Sequence, residues 1–437
     1  MTPTVLDLLD LRAFTGDLAV ALAPPEEPTA PVEAVRTIIA DVRARGDAAI
    51  REYTARFEGC TIDDLRVPAS AVDAALTRIS VEVRAALEYA AAEIRAYHEA
   101  QRATPVALDR DGIQTRELVV PVDRAGCYAP GGRAAYPSSV LMTAIPARVA
   151  GVREVALCVP PDRDGTLPAA TLAAAALAGV DEVYRVGGVP AIAALAYGTA
   201  SIRPVDVIVG PGNVYVTLAK REVTGQVGTD TFAGPSELVV VADATAEAEL
   251  VAADLLAQAE HGPGGAAVLV TWHAPLIAAV ESALAERLAA APRATDIRAT
   301  LATGGRAVLV ADAAAALAVT NVIAPEHLEL HTVDPEALLP AVRNAGAVFC
   351  GAKTPAVVGD YVAGVNHVLP TGRTARFASA LRVDTFRKHI HVVHADDAAL
   401  ERVAPHVAAL ATAEGLPEHR RSVNLRTRRG VAAEQAS

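Results

Sequence analysis

The sequence predicts an α/β protein with two sheets, and three observations support this prediction. Short runs rich in Val, Ile and Leu recur along the chain, and most are separated by alanine-rich helical stretches. Several runs are apolar on both faces, as strands of a parallel sheet covered by helices must be. Their number suggests two sheets, because eight stand out: ELVVPV (117–122), VALCV (155–159), VYRVG (183–187), DVIVG (206–210), LVVVAD (238–243), AAVLVTW (266–272), RAVLVAD (306–312) and GAVFC (346–350).

Other parts of the chain lack this strand pattern. The proline-rich segment APPEEPTAP (23–31) is expected to link a short N-terminal helix to the body of the protein. From Val32 to about Arg102, apolar residues recur at three- and four-residue steps, which predicts helices. After about Leu381 the strand signals thin out, and we expect a helical tail.

The composition narrows the class of protein. The chain has 437 residues, of which 52% are hydrophobic, enough for two or three domains with their own cores. Lys and Arg number 39 against 51 Asp and Glu, a net charge of −12, so a nucleic-acid partner is not expected. The N-terminus carries acids where a secretory signal carries bases, and no uncharged apolar stretch approaches the roughly 18 residues of a membrane span. We expect a cytoplasmic protein with no membrane partner.

The four cysteines do not form a metal or disulfide motif. They are scattered, each inside or beside an apolar run: Cys60, Cys127, Cys158 and Cys350. We expect them to be reduced core residues.

Four loops are rich in glycine and proline: YAPGGR (128–133), VGGVPA (186–191), VGPGNVY (209–215) and AGPSE (233–237). The third follows a predicted strand and precedes a predicted helix, where backbone N–H groups can bind a phosphate or carboxylate. The chain has no GxGxxG fingerprint, and tight βα turns also use glycine for backbone geometry alone. Both interpretations stay open.

Several polar residues lie in apolar surroundings. In VIAPEHLEL, Pro325 suits the first position of a helix, which would place Glu326 and His327 in its opening turn. Such a pair serves general acid–base chemistry, although an acid there can also merely complement the helix dipole. Asp360 and His367 lie among glycines and aliphatic residues, and a buried aspartate needs a cation.

The stretch QAEHGP places Gln258 and His261 on one face of a last helical turn, before Gly-Pro. His261 can simply face the negative end of the helix. Together with Asp360 and His419, however, it offers the nitrogen and oxygen ligands that zinc accepts. The spacing of these residues leaves the metal open.

The chain resembles the histidinol dehydrogenase family. Seven phrases carry the resemblance, in family order from about Tyr128 to Val423: YAPGGRAAYPSSVLMTAIPARVAGV, GPGNVYVTLAKREV, AGPSELVVVAD, DLLAQAEHGP, IAPEHLEL, GDYVAGVNHVLPTGRTARF and ATAEGLPEHRRSV. The helical N-terminal region is compatible but less distinctive.

The resemblance implies a fold of two Rossmann-like α/β domains, similar to those of aldehyde dehydrogenases. One domain comprises residues 25–127 and 235–381 and carries most of the metal and catalytic residues; the other, 128–234, binds NAD. Residues 1–24 form a small helical extension, and the helical tail 382–437 is swapped onto the partner of a homodimer.

The resemblance also implies the site residues. The zinc ligands are Gln258, His261, Asp360 and His419, and the catalytic pair is Glu326 and His327. In addition to the metal ligands, the substrate contacts are Ser236, His327, His367 and Glu414. The cofactor contacts are Tyr128, Asn213 and position 190, where this chain has Pro190 in place of the family's glutamine. The proline removes a side-chain hydrogen bond to NAD, a loss of ~1 kcal/mol.

The implied activity is the zinc-dependent oxidation of L-histidinol to L-histidine through L-histidinal, with two NAD molecules, in histidine biosynthesis. Two alternatives stay open. A related zinc- and NAD-dependent dehydrogenase could oxidise another small polar alcohol. A non-catalytic binding protein could keep the same fold, although the intact Glu326, His327 and ligand positions argue against it.

Overall fold

The computed structural model describes residues 4–22, 31–102, 104–132, 134–231, 234–262 and 264–427. The strands of this part of the chain are β1 (Asp7–Asp10), β2 (Ala107–Arg110), β3 (Ile113–Pro121), β4 (Arg124–Tyr128), β5 (Glu154–Val159), β6 (Glu182–Arg185), β7 (Val207–Val209), β8 (Gly228–Thr229), β9 (Glu237–Ala242), β10 (Ala266–Thr271), β11 (Gly305–Leu309), β12 (His327–His331), β13 (Ala347–Cys350) and β14 (Arg387–Ala395).

The α-helices of the same residues are α1 (Leu18–Ala21), α2 (Val32–Arg45), α3 (Asp47–Phe57), α4 (Ala69–Asp73), α5 (Val81–Ala100), α6 (Pro137–Ala150), α7 (Ala169–Ala178), α8 (Gly188–Tyr197), α9 (Val214–Val223), α10 (Ala248–Ala259), α11 (Ala274–Ala290), α12 (Ala294–Gly304), α13 (Ala313–Ile323), α14 (Ala356–Tyr361), α15 (Asp397–Ala413) and α16 (Pro417–Asn424). The chain divides into two compact units. The first comprises Met1–Gln101 and Val122–Phe386, and the second comprises Arg102–Pro121 and Arg387–Ser437.

None of the helices in the described residues combines the length and the apolar character that a membrane span needs.

The first unit contains two parallel sheets, so the predicted two-sheet α/β fold is confirmed. The larger sheet has the strand order β1-β11-β10-β9-β12-β13, and the smaller has the order β6-β5-β4-β7-β8. Alternate residues of β9 point to opposite faces: Leu238 and Val240 pack with helices α10 to α12, whereas Val239 and Val241 pack with α13. Both faces are therefore covered, which explains the continuous apolar runs in the sequence.

The helices of residues 32–101 pack on the smaller sheet. Ile39 of α2 and Ile50 of α3 share a core with Ile192 and Ile208, and Ile94 of α5 packs in the core that includes α6 and α7. Strand β4 is the middle strand of that sheet. The apolar faces of these helices therefore meet the smaller sheet, and the grouping of 25–127 with 235–381 stays a prediction.

The N-terminal extension was predicted to be helical, but in the structure it contains a strand as well as a short helix. Strand β1 pairs in parallel with β11 at the edge of the larger sheet, and the helix that follows, α1, spans only Leu18–Ala21. The backbone N–H groups of Val5 and Leu6 both donate to the carboxylate of Glu281 at 2.7 Å, which fixes the start of this segment. Most of the predicted linker, 23–30, lies outside the described residues.

The second unit combines a three-stranded antiparallel sheet, ordered β14-β3-β2, with helices α15 and α16. The helical tail is confirmed, but its first part is the strand Arg387–Ala395, in which Ile390, Val392 and Val393 have high β-propensity. The predicted strand ELVVPV forms, and it pairs antiparallel with β14 rather than joining a parallel sheet.

Candidate active site

The predicted catalytic pair lies at the start of a strand and not at the start of a helix. Helix α13 ends at Ile323, and Ala324 adopts a left-handed backbone with φ 51°. The chain then turns into β12, between β9 and β13 in the larger sheet. The expectation that Pro325 opens a helix is therefore wrong: the alternating pattern of HLELH satisfies a strand, with Leu328 and Leu330 in the core on one face.

The backbone of Glu237 holds both members of the pair. Its N–H donates to Oε2 of Glu326 at 3.0 Å, and its carbonyl oxygen accepts from Nδ1 of His327 at 3.1 Å. A carbonyl oxygen can only accept, so Nδ1 carries the proton. The Nε2 atom of His327 is then directed towards Oδ1 of Asp360, 3.4 Å away. Glu326 and His327 are both buried, so their positions are fixed by these contacts.

Burial and neighbouring charges shift the pKa values of this cluster. Burial acts to lower the pKa of His327. The carboxylates of Glu326 and Asp360 outweigh the effect of burial, and the pKa is raised to about 9. Burial raises the pKa of Glu326. Burial also acts to raise the pKa of Asp360, yet its hydrogen bond to His327 and the charges of nearby histidines lower it overall. The geometry thus favours a charged Asp360 beside the imidazole of His327.

Gln258 and His261 lie near the end of α10, as predicted, but His261 follows the helix by two residues instead of occupying its last turn. The ring Nδ1 of His261 donates to the backbone oxygen of Gln258 at 3.1 Å. The Oγ of Ser236 donates to Oε1 of Gln258 at 3.2 Å. The other amide atom of this buried side chain, Nε2, has no partner among the described residues.

His367 is fixed at both ring nitrogens. Its Nδ1 donates to the backbone oxygen of Asp360 at 2.9 Å, so Nε2 is the atom that accepts from Oγ of Ser139 at 3.2 Å. Burial lowers the pKa of His367. The contacts therefore hold a neutral imidazole next to the loop that carries Asp360.

Three of the four predicted metal ligands lie in the first unit. Two histidines contact Asp360: Nε2 of His327 lies 3.4 Å from its Oδ1, and Nδ1 of His367 donates to its backbone oxygen at 2.9 Å. The side-chain amide of Gln258 can be turned by 180° without changing its shape, which exchanges its oxygen and nitrogen. In either orientation Ser236 contacts one of these atoms, and the other is left for a further partner. An amide, an imidazole and a carboxylate form a donor set that zinc accepts, and the site residues fit this ion.

The predicted cofactor residues lie where the strands of the smaller sheet end. Tyr128 is the last residue of β4, and its hydroxyl accepts from the N–H of Gly188 at 3.1 Å. Gly210 follows β7 with φ +126°, and a Cβ atom there would lie 2.0 Å from the carbonyl oxygen of Tyr128. The loops after β4, β6 and β7 therefore meet at the carboxyl edge of this sheet, where α/β proteins bind nucleotides.

Pro190 and Asn213 lie at the starts of the helices that follow these loops. Pro190 is the third residue of α8, where a missing N–H removes no intrahelical hydrogen bond. Asn213 is exposed, and its Oδ1 accepts from the N–H groups of Tyr215 and Val216 at the start of α9. This cap explains the asparagine structurally, whether or not it contacts a ligand.

Glu414 and His419 belong to the second unit. Glu414 is the C-cap of α15, and His419 is the third residue of α16. Both side chains are exposed in the single chain.

Two contact residues of the site were not predicted from the sequence. Glu237 holds the pair through its backbone, and Ser139 binds His367 from the first turn of α6. The sequence gives only weak signals for them, because a backbone contact does not depend on the side chain and a serine early in a helix is common.

Known proteins resemble the chain over almost its full length. Histidinol dehydrogenase of Rhizobium meliloti is 48% identical over 97% of this chain and 98% of that protein. The enzyme of that name from a Synechococcus strain is 50% identical over 90% of this chain and 91% of its own. The crystal structure of histidinol dehydrogenase from Elizabethkingia anophelis matches with a TM-score of 0.94 and 32% identity, covering 98% of this chain and 99% of the other.

The fold and the site define an α/β enzyme with a buried glutamate–histidine pair, Glu326 and His327. A sequence model of the histidinol dehydrogenase family matches residues 24–427. The chain belongs to the histidinol dehydrogenase family. The family predicted from the sequence is thereby confirmed, and with it the class of enzyme, an NAD-dependent oxidoreductase.

Proposed function

We propose that this chain oxidises L-histidinol to L-histidine through L-histidinal, with two NAD molecules as the hydride acceptors. The observation that carries the proposal is the buried pair Glu326 and His327, held by the backbone of Glu237 beside Asp360, in a chain of this family. The relatives that match over almost the whole chain bear the name histidinol dehydrogenase.

His327 is the base of the alcohol step. Its Nδ1 proton is committed to the carbonyl oxygen of Glu237, so in the neutral ring Nε2 is the atom that accepts the hydroxyl proton. Because the pKa of His327 is raised to about 9, the neutral ring gains population as the pH rises towards 9, and the alcohol step should become faster over that range. As the hydroxyl proton reaches Nε2, the carbon loses a hydride to NAD and the aldehyde forms. The carboxylate of Glu326, whose Oε2 lies 3.5 Å from Nδ1, stabilises the imidazolium that results.

Glu326 is the base of the aldehyde step. It takes a proton from water as the oxygen attacks the aldehyde carbon, and the hydrate loses a second hydride to a second NAD. Burial raises the pKa of Glu326, which makes its carboxylate a stronger base than an exposed one. The N–H of Glu237 keeps the carboxylate oriented during this step.

Gln258, His261, Asp360 and His419 are the residues that would hold zinc. When bound, the ion orients the substrate and needs no redox change, since the hydride goes to the nicotinamide. Ser236, His367 and Glu414 complete the substrate contacts. The hydrogen bonds of Ser236 to Gln258 and of His367 to the backbone of Asp360 support this assignment.

Tyr128, Pro190 and Asn213 surround the NAD site in this proposal. Tyr128 contacts two turns at one edge of the smaller sheet: its hydroxyl accepts from the N–H of Gly188, and its carbonyl oxygen lies against Gly210. Pro190 lacks the side-chain amide of the family's glutamine, so NAD binds here with one hydrogen bond fewer.

The active enzyme in this proposal is a cytoplasmic homodimer in which Glu414 and His419 of each chain complete the site of the other. Both residues are exposed in the single chain. An exposed histidine binds a metal ion firmly only when other ligands surround the same ion. Docking of the C-terminal helices on the partner chain would bring His419 next to such ligands.

Formation of NADH from histidinol tests the proposal. With zinc present, the purified chain should form two NADH for each histidinol consumed, and His327→Ala should abolish it. No NADH from histidinol would refute the proposal, and turnover of another small alcohol alone would favour the related dehydrogenase. Binding of histidinol without any NADH would favour the non-catalytic alternative.

A further inference from the structure

A second cluster of polar side chains lies on the buried face of β12 that carries His327. Glu329 and His331 follow His327 at two-residue steps, so all three point to the same side of the sheet. Asp254 approaches from α10, four residues before Gln258 and therefore on the same face of that helix. The ligand atoms of Asp254, Glu329 and His331 all lie within 4.8 Å of one another.

Two of these side chains, Glu329 and His331, are buried with unpaired polar atoms, and Asp254 is half-buried. His331 is 3% exposed, and among the described residues neither of its ring nitrogens has a hydrogen-bond partner. Glu329 is completely buried, and its Oε2 also has none, whereas its Oε1 accepts from the N–H of Ala356 at 2.7 Å. Unpaired polar atoms are unfavourable in the protein interior, so a cation bound to these atoms would stabilise the cluster.

The distances fit a metal better than hydrogen bonds. Nε2 of His331 lies 3.2 Å from Oε2 of Glu329 and 3.6 Å from Oδ2 of Asp254. The second distance is too long for a hydrogen bond. The ligand atoms of a tetrahedral zinc, bound at about 2.0–2.2 Å, lie about 3.3–3.6 Å from one another. The two distances from His331 therefore lie close to the separation of ligands that share one ion, and the third, between Asp254 and Glu329, is within 4.8 Å.

The charges of the cluster also favour a cation. Burial, followed by the charge of Glu329, raises the pKa of Asp254 to about 7. The charged groups that act on it are Glu329 and His331, with no lysine or arginine among them. A divalent ion would neutralise both carboxylates, and a neutral imidazole would complete the donor set.

We propose that Asp254, Glu329 and His331 bind a divalent cation of the zinc class, at a site separate from the one around Asp360. The ion joins α10 to β12, and Glu329 also caps the start of α14 through Ala356. These three elements carry Gln258, His327 and Asp360, so the second ion holds the active-site elements in register. Its role is structural, because none of its ligands is among the residues assigned to the substrate or the cofactor.

Zinc content tests the proposal. The full-length protein is equilibrated with Zn²⁺, freed of excess metal and measured by mass spectrometry, beside His331→Leu and Asp254→Asn. Each variant should hold one zinc fewer per chain than the wild type. The control His406→Ala removes an exposed histidine of α15 and should not change the content. If wild type and both variants hold the same amount of zinc, the proposal fails, and Asp254 and Glu329 share a proton instead.

A second comparison separates this site from the proposed catalytic one. The His261→Ala variant should keep the zinc of the second site, so adding His331→Leu should still remove one zinc per chain. No further loss in the double variant would overturn the second site and leave the catalytic proposal untouched. If His331→Leu does not fold, as judged by circular dichroism, Asp254→Asn alone decides: loss of one zinc supports the site, and full content refutes it.

Discussion

The carbonyl oxygen of Glu237 accepts a hydrogen bond from Nδ1 of His327, 3.1 Å away on the neighbouring strand. The same residue donates its N–H to Glu326, so the two peptide groups that flank Glu237 fix the orientation of Glu326 and His327. Because the contact is made by the backbone, it survives substitution of the Glu237 side chain. That side chain can therefore be changed to probe electrostatics without releasing the pair.

Glu237→Gln should stabilise the metal-free protein above neutral pH. Burial and then the charge of Glu326 raise the pKa of Glu237 from 4.5 to about 7. A raised carboxyl pKa favours folding while the group is protonated, so this contribution is present below pH 4.5 and is lost as the pH rises to about 7. The loss amounts to about 3 kcal/mol. Glutamine mimics the neutral acid, so urea unfolding should show the variant's advantage growing across this window.

The control for this pH series is Glu286→Gln, which changes an exposed glutamate of α11. Its unfolding midpoint should follow that of the wild type at every pH. An advantage of Glu237→Gln that is equal at pH 4.5 and pH 8 would contradict the electrostatic explanation.

Glu326→Gln should slow the aldehyde step more than the alcohol step, because only the former needs an activated water. The two steps are assayed separately, with histidinol and with histidinal as substrates. General base catalysis contributes about 10²–10⁴-fold, which sets the expected loss with histidinal. Equal losses with both substrates would reject the division of roles between Glu326 and His327.

His261→Ala should lower turnover and the zinc content together, since loss of one of four protein ligands weakens the site and lets the substrate shift. Metal analysis and initial rates on the same preparation measure both effects. His273→Ala, at the half-buried N-cap of α11, is a matched control outside the site. Full zinc content with normal turnover would remove His261 from the site.

A mixture of two inactive variants should recover activity if Glu414 and His419 serve the partner chain. Glu326→Ala and His419→Ala are unfolded together and refolded as a mixture. A mixed dimer then has one intact site, and random pairing restores about a quarter of wild-type activity. Each variant refolded alone is the control. No recovery, with mixed dimers confirmed by mass spectrometry, would show that each chain completes its own site.

Strands with strong β-branched content were predictable, and the others were not. LVVVAD and AAVLVTW correspond to β9 and β10, because Val and Leu on both faces fit a covered sheet. RAGCY, which forms β4, gave no such signal, since small residues pack in the middle of the sheet without high β-propensity. PEHLEL was assigned to a helix start because Pro325 fits that position locally, whereas pairing with β9 and β13 decides its structure.

The family and the class of enzyme were predictable because seven phrases occur in family order, and the match to residues 24–427 confirms them. In the structure Ser236 contacts Gln258, His367 contacts Asp360, and Asp360 lies beside His327. Their roles in binding remain predictions. The cluster of Asp254, Glu329 and His331 gave no signal, since residues 75 positions apart meet only through the packing of α10 on the sheet.

The alternation along β12 restricts how this protein can change over evolution. His327, Glu329 and His331 share one face, and Leu328 and Leu330 share the other. Point substitutions can adjust each position separately. Insertion or deletion of one residue within the strand would turn every later side chain to the opposite face, placing leucine in the polar cluster and charge in the core. Natural variation in β12 should therefore consist of residue replacements at constant length, with length changes confined to the loops on either side.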